Sequence, residues 1–267
     1  MSITIEHVNT NGFTMRFFRF GRGKQPMVIL PGLSVQSVMN AADQIADAYQ
    51  PMADDFTVYV FDRREDLPPA YPIADMARNT AAAMQALGLS DVCLFGASQG
   101  GMIALEIAIR HPELVARMVL GSTSARVSGT ASAAVESWIR LAEQGDGVAL
   151  YEAFGQAIYP PAVFEASREM LVAAGASVTD AELTRFIVLA QAAQGFDVLE
   201  KLPLIRCPVL LLGAEDDAVL GGDSTPQMAA AFGDRPDVEM HLYRGYGHAA
   251  FDTAPDYKER ILRFFAK

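Results

Sequence analysis

Short runs that are almost continuously apolar recur along this chain: MVILP (27–31), TVYVFD (57–62), VCLFGA (92–97), ARMVLGS (116–122), PVLLLG (208–213) and VEMHLY (238–243). A strand with one face in water would alternate polar with apolar residues. Runs without that alternation suit parallel strands covered on both faces. Helical stretches stand between them. IADMARNTAAAMQALG (73–88) places Ile73, Met76, Ala77, Ala81, Met84 and Leu87 on one side and ends in a glycine suited to a left-handed stop. QGGMIALEIAIRH (99–111) runs up to Pro112, and APDYKERILRFFAK (254–267) reads as an amphipathic closing helix. Strand and helix in alternation predict an α/β fold, with a doubly wound, mostly parallel sheet between two helix layers. FTMRFFRF (13–20) is the exception: it alternates, so we expect a half-exposed antiparallel strand near an edge.

The alternation breaks between Ser124 and Glu200, where only helical patches occur: ASAAVESWIRLAEQG, ALYEAFGQAIYP, VFEASREMLVAAG and DAELTRFIVLAQAAQG. Roughly 75 residues without a strand are too many for a plain loop, and they predict a helical lid. The expected organisation is therefore a core of residues 1–124 and 200–267, with a cap at 125–199. At 267 residues, 51% of them apolar, the chain can bury a full core. Its net charge of -11 disfavours nucleic acid and anionic membranes as partners. The opening MSITIEHVNTNGF carries no secretory signal pattern, and no run reaches the roughly 18 apolar residues of a membrane span. Cys93 and Cys207 read as small core thiols of a reducing, cytoplasmic setting.

One hydroxyl stands at the joint between a buried strand and a helix, in Gly96-Ala97-Ser98-Gln99-Gly100. With 21 glycines in the chain the pentapeptide alone says little, but its place after a strand and before a helix is that of a nucleophile elbow. Such a turn strains the serine and brings backbones so close that residues two positions away must lack side chains. The helix start adds unpaired N–H groups and partial positive charge beside the hydroxyl.

A serine hydroxyl needs a base, and four histidines are available. His7 lies in the first strand-like segment, His241 lies inside a strand, and His111 lies a dozen residues down the helix, at about 1.5 Å per residue. His248, in the glycine-bearing loop RGYGHAAF after the last strand, is the one that can reach. The base needs a carboxylate to hold its tautomer. After PVLLLG both Asp216 and Asp217 compete; we assign Asp216, leaving its neighbour solvated or capping the turn. The expected oxyanion donors are the backbone N–H of Gln99 and, from the loop Pro31-Gly32-Leu33-Ser34, that of Leu33.

The LPGL loop, FDRR, the GASQGG elbow, HPELVARMVLGS, LIRCPVLLLGAEDD and GYGHAAF together resemble the α/β-hydrolase superfamily, in its branch with a helical cap. That branch includes esterases, enol-lactone hydrolases, C–C bond hydrolases and cofactor-free haloperoxidases. The resemblance implies an eight-stranded sheet and a serine hydrolase, with Ser98 as nucleophile, His248 as base, Asp216 as acid and Leu33 and Gln99 as oxyanion donors. Two departures stand out: Pro31-Gly32 where many relatives have His-Gly, and FDRREDLPPAYP where many have a glycine-rich turn. Arg63 or Arg64 there would bind a substrate carboxylate or pair with Glu65 and Asp66.

The expected substrate is a small, mostly apolar ester, lactone or thioester, held by Gly32, Met102, Trp138 and Tyr159. Tyr151, Phe154, Phe164 and Phe186 are either further lining or helix packing. C–C hydrolysis or perhydrolysis on the same residues, and a catalytically silent ligand-binding relative, are the alternatives. No cofactor and no metal is expected, since neither H-E-x-x-H nor C-x-x-C occurs and no Rossmann or Walker glycine pattern precedes a helix. A homodimer is left open.

Overall fold

The computed structural model describes residues 2–10, 12–127 and 129–267. Eight strands form one sheet in the order β1-β2-β4-β3-β5-β6-β7-β8: β1 (Ile5–Thr10), β2 (Phe13–Phe20), β3 (Gln25–Leu30), β4 (Phe56–Arg64), β5 (Val92–Ala97), β6 (Val115–Gly121), β7 (Val209–Ala214) and β8 (Val238–Tyr243). β1–β2 and β2–β4 pair antiparallel; every other pair is parallel.

Side chains of a strand point alternately to the two faces, so a run with no polar partner must find cover on both. In β3, Val28 and Leu30 enter one core while Met27 and Ile29 enter the other; in β7, Val209 and Leu211 separate from Leu210 and Leu212 in the same way. Helices α2 (Ile73–Ala86), α3 (Gln99–Arg110) and α8 (Ser224–Phe232) cover the first face with Met76, Met84, Ile103, Ile107, Met228 and Phe232. Helices α1 (Ala42–Ala48) and α10 (Tyr257–Phe265) cover the second with Ala42, Ala46, Ile261 and Phe265, and the short α9 (Ala250–Thr253) precedes α10.

β2 is antiparallel and lies next to an edge, as expected, but the exposure of the outer strands differs from the sequence expectation. The edge belongs to β1, and β2 inside it is covered on both faces at Met15, Phe17 and Phe18. β8, read as a buried run, is the opposite edge, and its Met240 is 47% exposed. An apolar run at a sheet margin has lost one flanking strand, and hydropathy alone does not report that.

Between β6 and β7 stand α4 (Thr130–Glu143), α5 (Gly147–Ile158), α6 (Pro161–Ala176) and α7 (Asp180–Gln191). They carry a core of their own, centred on Val135, Trp138, Leu150, Leu183 and Phe186 and joined to the sheet domain through Val35 and Val219. The chain enters and leaves this cap through a narrow neck. There Arg126 bridges Asp197 as an antiparallel pair, Val127 N–H donates to Phe196 O at 2.8 Å, and Val198 N–H donates to Ala125 O at 2.7 Å. No helix among the described residues is long and apolar enough to cross a membrane.

Candidate active site

At the carboxyl end of β5 the backbone turns sharply at Ser98, which sits at φ 51°, ψ -122°, in a region that side chains rarely adopt. The neighbouring glycines make that turn possible. A Cβ on Gly96 would lie 2.5 Å from Gly100 O, and one on Gly100 would lie 1.9 Å from Leu30 O. The strained residue is held from both sides: Ser98 N–H donates to Gly121 O at 2.8 Å, and Thr123 Oγ1 donates to Ser98 O at 2.6 Å.

Ser98 Oγ stands 3.0 Å from His248 Nε2, although 150 residues of chain separate them. His248 Nδ1 in turn lies 2.8 Å from Asp217 Oδ2, both side chains being almost fully buried. The carboxylate beside the imidazole is therefore Asp217 and not the expected Asp216. Both residues leave β7 in one turn, but successive side chains of a turn diverge. Asp217 points inward, its Oδ1 accepting the N–H groups of Val219 and Leu220 at 2.9 Å each. Asp216 stays exposed and accepts the N–H groups of Gly245 and Gly247 instead. The other histidines lie elsewhere: His7 faces Glu65, His111 faces Glu113, and His241 stacks edge-on against Tyr243.

The loop after β3 passes directly over the serine; a Cβ on Gly32 would sit 3.2 Å from Ser98 Cβ. Gln99 opens α3, so its N–H has no carbonyl one turn back. Among the described residues neither it nor the Leu33 N–H donates to a backbone carbonyl. The Gln99 side chain reaches the cap, donating from Nε2 to Leu189 O at 2.6 Å.

Arg63 takes neither expected role. It is 5% exposed, and its Nη2 donates to Pro31 O at 2.8 Å and to Gln99 Oε1 at 3.3 Å, tying the β3 loop to the elbow. Burial pushes its guanidinium down to about 10, opposed by the adjacent Asp62 carboxylate and reinforced by the Arg185 charge. Arg64 lies over the Phe13 ring, 5.1 Å from its centre. Buried Asp62 accepts from Ser37 Oγ at 2.5 Å and from Arg185 Nη2, on cap helix α7, at 2.7 Å. This latch between core and cap was absent from the sequence reading; its only signal was a charged residue within the apolar stretch TRFIVLA.

A pocket of about 440 Å³, part of it open to solvent, lies over the serine. Leu33, Ser98, Gln99, Met102 and His248 form its floor with Val219 and Leu220; Trp138, Phe154 and Ile158 are among the cap residues that close it. Of the four residues expected to hold substrate, Met102 and Trp138 line this pocket, and Tyr159 and Gly32 are not among its lining residues. Tyr159 is the C-cap that follows α5, and burial together with the nearby Asp252 carboxylate pushes its hydroxyl up to about 12. Gly32 lies in the loop beside Ser98, and its neighbour Leu33 is the loop residue that lines the pocket. Phe164 and Phe186 pack within the cap, and Tyr151 donates to Gln36 Oε1 at 3.1 Å. Among the described residues, the polar side-chain groups of this lining are those of Ser98, His248 and Gln99 and the indole N–H of Trp138. No cluster of three or more potential metal ligands occurs among the described residues.

A profile of the alpha/beta hydrolase fold matches residues 25–255. A protein of Agrobacterium fabrum, provisionally named carbamate hydrolase RutD, is 26% identical over 80% of this chain and 84% of its own length. Among solved structures, the α/β hydrolase MGS-M2 from a Medee basin deep-sea metagenome library superimposes with a TM-score of 0.87, at 22% identity, over 98% of both chains. The enol-lactonase of Burkholderia xenovorans does so with a TM-score of 0.83, at 17% identity, over 98% of this chain and 100% of its own. With its sheet, its elbow and the profile match across most of its length, the chain belongs to the alpha/beta hydrolase fold family and is a hydrolase.

Proposed function

We propose that this hydrolase is a serine enzyme that cleaves a carboxylic ester, lactone or thioester of a small, mostly apolar substrate through an acyl-enzyme. The observation that carries the reading is one continuous hydrogen-bonded line, Ser98 Oγ to His248 Nε2 to Asp217, opening into a pocket with almost no other polar group. In this mechanism the Ser98 oxygen attacks the carbonyl carbon while His248 Nε2 takes its proton. Asp217 fixes the imidazole tautomer and balances the positive charge it acquires. The N–H groups of Leu33 and Gln99 receive the developing oxyanion; such a donor is worth about 3–4 kcal/mol of barrier. His248 then returns the proton to the departing oxygen or sulfur. Water, deprotonated by the same imidazole, releases the acid and restores the serine. The partner in this reading is a small molecule, with no cofactor, nucleic acid or membrane, and the setting is the cytoplasm.

A fluorophosphonate probe tests the nucleophile: wild type is labelled and Ser98→Ala is not. Equal labelling of the two refutes the assignment. Turnover of a short p-nitrophenyl ester falls on acidification, because a protonated imidazole accepts no proton. A flat acid limb would remove His248 from the role.

Carbamate cleavage is the second reading, favoured by the name of the relatives that match over most of the chain. The chemistry at the serine is the same. Among the described residues, however, the pocket lining carries no Lys or Arg, so an anionic carbamate finds no such counter-charge there. Parallel assay of a carbamate and an apolar ester separates the two readings by their kcat/KM.

A further inference from the structure

The loop that delivers His248 is one that the chain would not hold still unaided. Arg244-Gly245-Tyr246-Gly247-His248 contains two glycines, at φ 82° and 59°, conformations open mainly to residues without a side chain. The freedom that lets the loop swing over the strand ends would also let the imidazole wander, and a displacement of about 1 Å at a reacting group costs on the order of 100-fold in rate. The loop is nevertheless pinned at alternate residues. Gly245 N–H donates to Asp216 Oδ1 at 3.0 Å and Gly247 N–H to Asp216 Oδ2 at 3.1 Å. Ala249 N–H donates upward to Ile158 O, at the end of cap helix α5, at 2.8 Å.

We infer that Asp216 is a positioning residue: both oxygens of its carboxylate fix the main chain of the histidine loop, so that the imidazole meets Ser98 and Asp217 at once. The adjacent carboxylates divide the work. Asp217 holds the ring and Asp216 holds the backbone that carries it. The bonds are charge-assisted, and an ionised carboxylate offers two accepting oxygens at the spacing of two successive loop donors. A neutral side chain of the same size keeps only one. The inference deepens the serine-hydrolase reading and rests on His248 as its base.

Asp216→Ala and Asp216→Asn, compared with wild type, test it. Asp216 is exposed, so neither variant empties a core. We expect Asp216→Ala to lower kcat about 10- to 100-fold with KM little changed, and Asp216→Asn, which retains one acceptor, to fall between it and wild type. The second-order rate of fluorophosphonate labelling should fall in the same order. The proton that His248 Nδ1 shares with Asp217 gives a low-field NMR resonance, which should stay sharp in wild type and broaden or vanish in Asp216→Ala. Unchanged kcat, labelling rate and resonance in folded Asp216→Ala would overturn the inference, as would lowered thermal stability with no change in those three. If wild type itself is inert to the probe and to esters, the hydrolase reading is what falls, and the resonance alone then decides whether Asp216 positions the histidine.

Discussion

The sheet end that carries Ser98 and the helical cap above it are built to different tolerances. At the elbow, backbone meets backbone: a Cβ on Gly100 would stand 1.9 Å from the Leu30 carbonyl, and no rotamer change can relieve that. In the cap, a Cβ on Gly155 would meet Leu171 Cδ1 at 2.7 Å and the Phe164 ring at 3.2 Å, both of them side-chain atoms able to give way. Where reacting groups must be placed to within a fraction of an ångström, main chain sets the spacing. Where a substrate is enclosed, adaptable side chains do.

Substitutions at matched positions put this contrast at risk. Gly100→Ala should destabilise the protein by at least about 3 kcal/mol, as overpacking against a fixed backbone, and should abolish turnover in whatever remains folded. Gly155→Ala should be close to neutral, since Ala gains about 1 kcal/mol over Gly in a helix interior against a small steric cost. Equal melting-temperature losses for the two would erase the distinction.

Trp138→Ala comes next. The indole packs against Phe154, their ring centres 4.6 Å apart, and faces the pocket. About 3 kcal/mol of stability should be lost, while the kcat/KM ratio of a long to a short acyl ester rises as the pocket lengthens. An unchanged acyl-chain profile would mean that the cap does not set selectivity.

Arg185→Met, third in size, removes the cap's partner from buried Asp62 and should cost about 2 kcal/mol. Limited proteolysis should then cut within residues 130–191 before it cuts the sheet domain. A digestion pattern identical to wild type would show that the latch is dispensable.

The smallest effect concerns the thiols. Burial pushes both Cys93 and Cys207 up to about 11, so only on the order of one thiol in a thousand is ionised at pH 8. Iodoacetamide should modify neither at that pH, and the rate should climb as pH rises towards 11. Rapid alkylation at pH 8 would contradict their burial.

What could be seen in the sequence follows from how local each signal is. The strand runs, the elbow and the four cap helices announce themselves through neighbours in sequence, and His248 could be found because so few histidines compete. The choice between Asp216 and Asp217 could not be made that way. It depends on turn dihedrals after β7, and a one-residue change of direction exchanges a ring partner for a backbone clamp. Arg63 was misplaced for a related reason. Its partners, Pro31 O and Gln99 Oε1, come from two other segments, and carbonyl acceptors leave no mark in a sequence. Likewise, no spacing rule links Ser37, Asp62 and Arg185, which meet from three separate segments of the chain.

The two-rung neck at Arg126 and Asp197 has a consequence for how such a chain can diversify. Because the helical segment departs and rejoins at nearly one point, lengthening, shortening or exchanging it leaves every strand register intact and adds little closure entropy. Under the proposed function, a change of substrate range could therefore come from exchanging that helical segment alone, with the sheet end that carries Ser98 left unaltered.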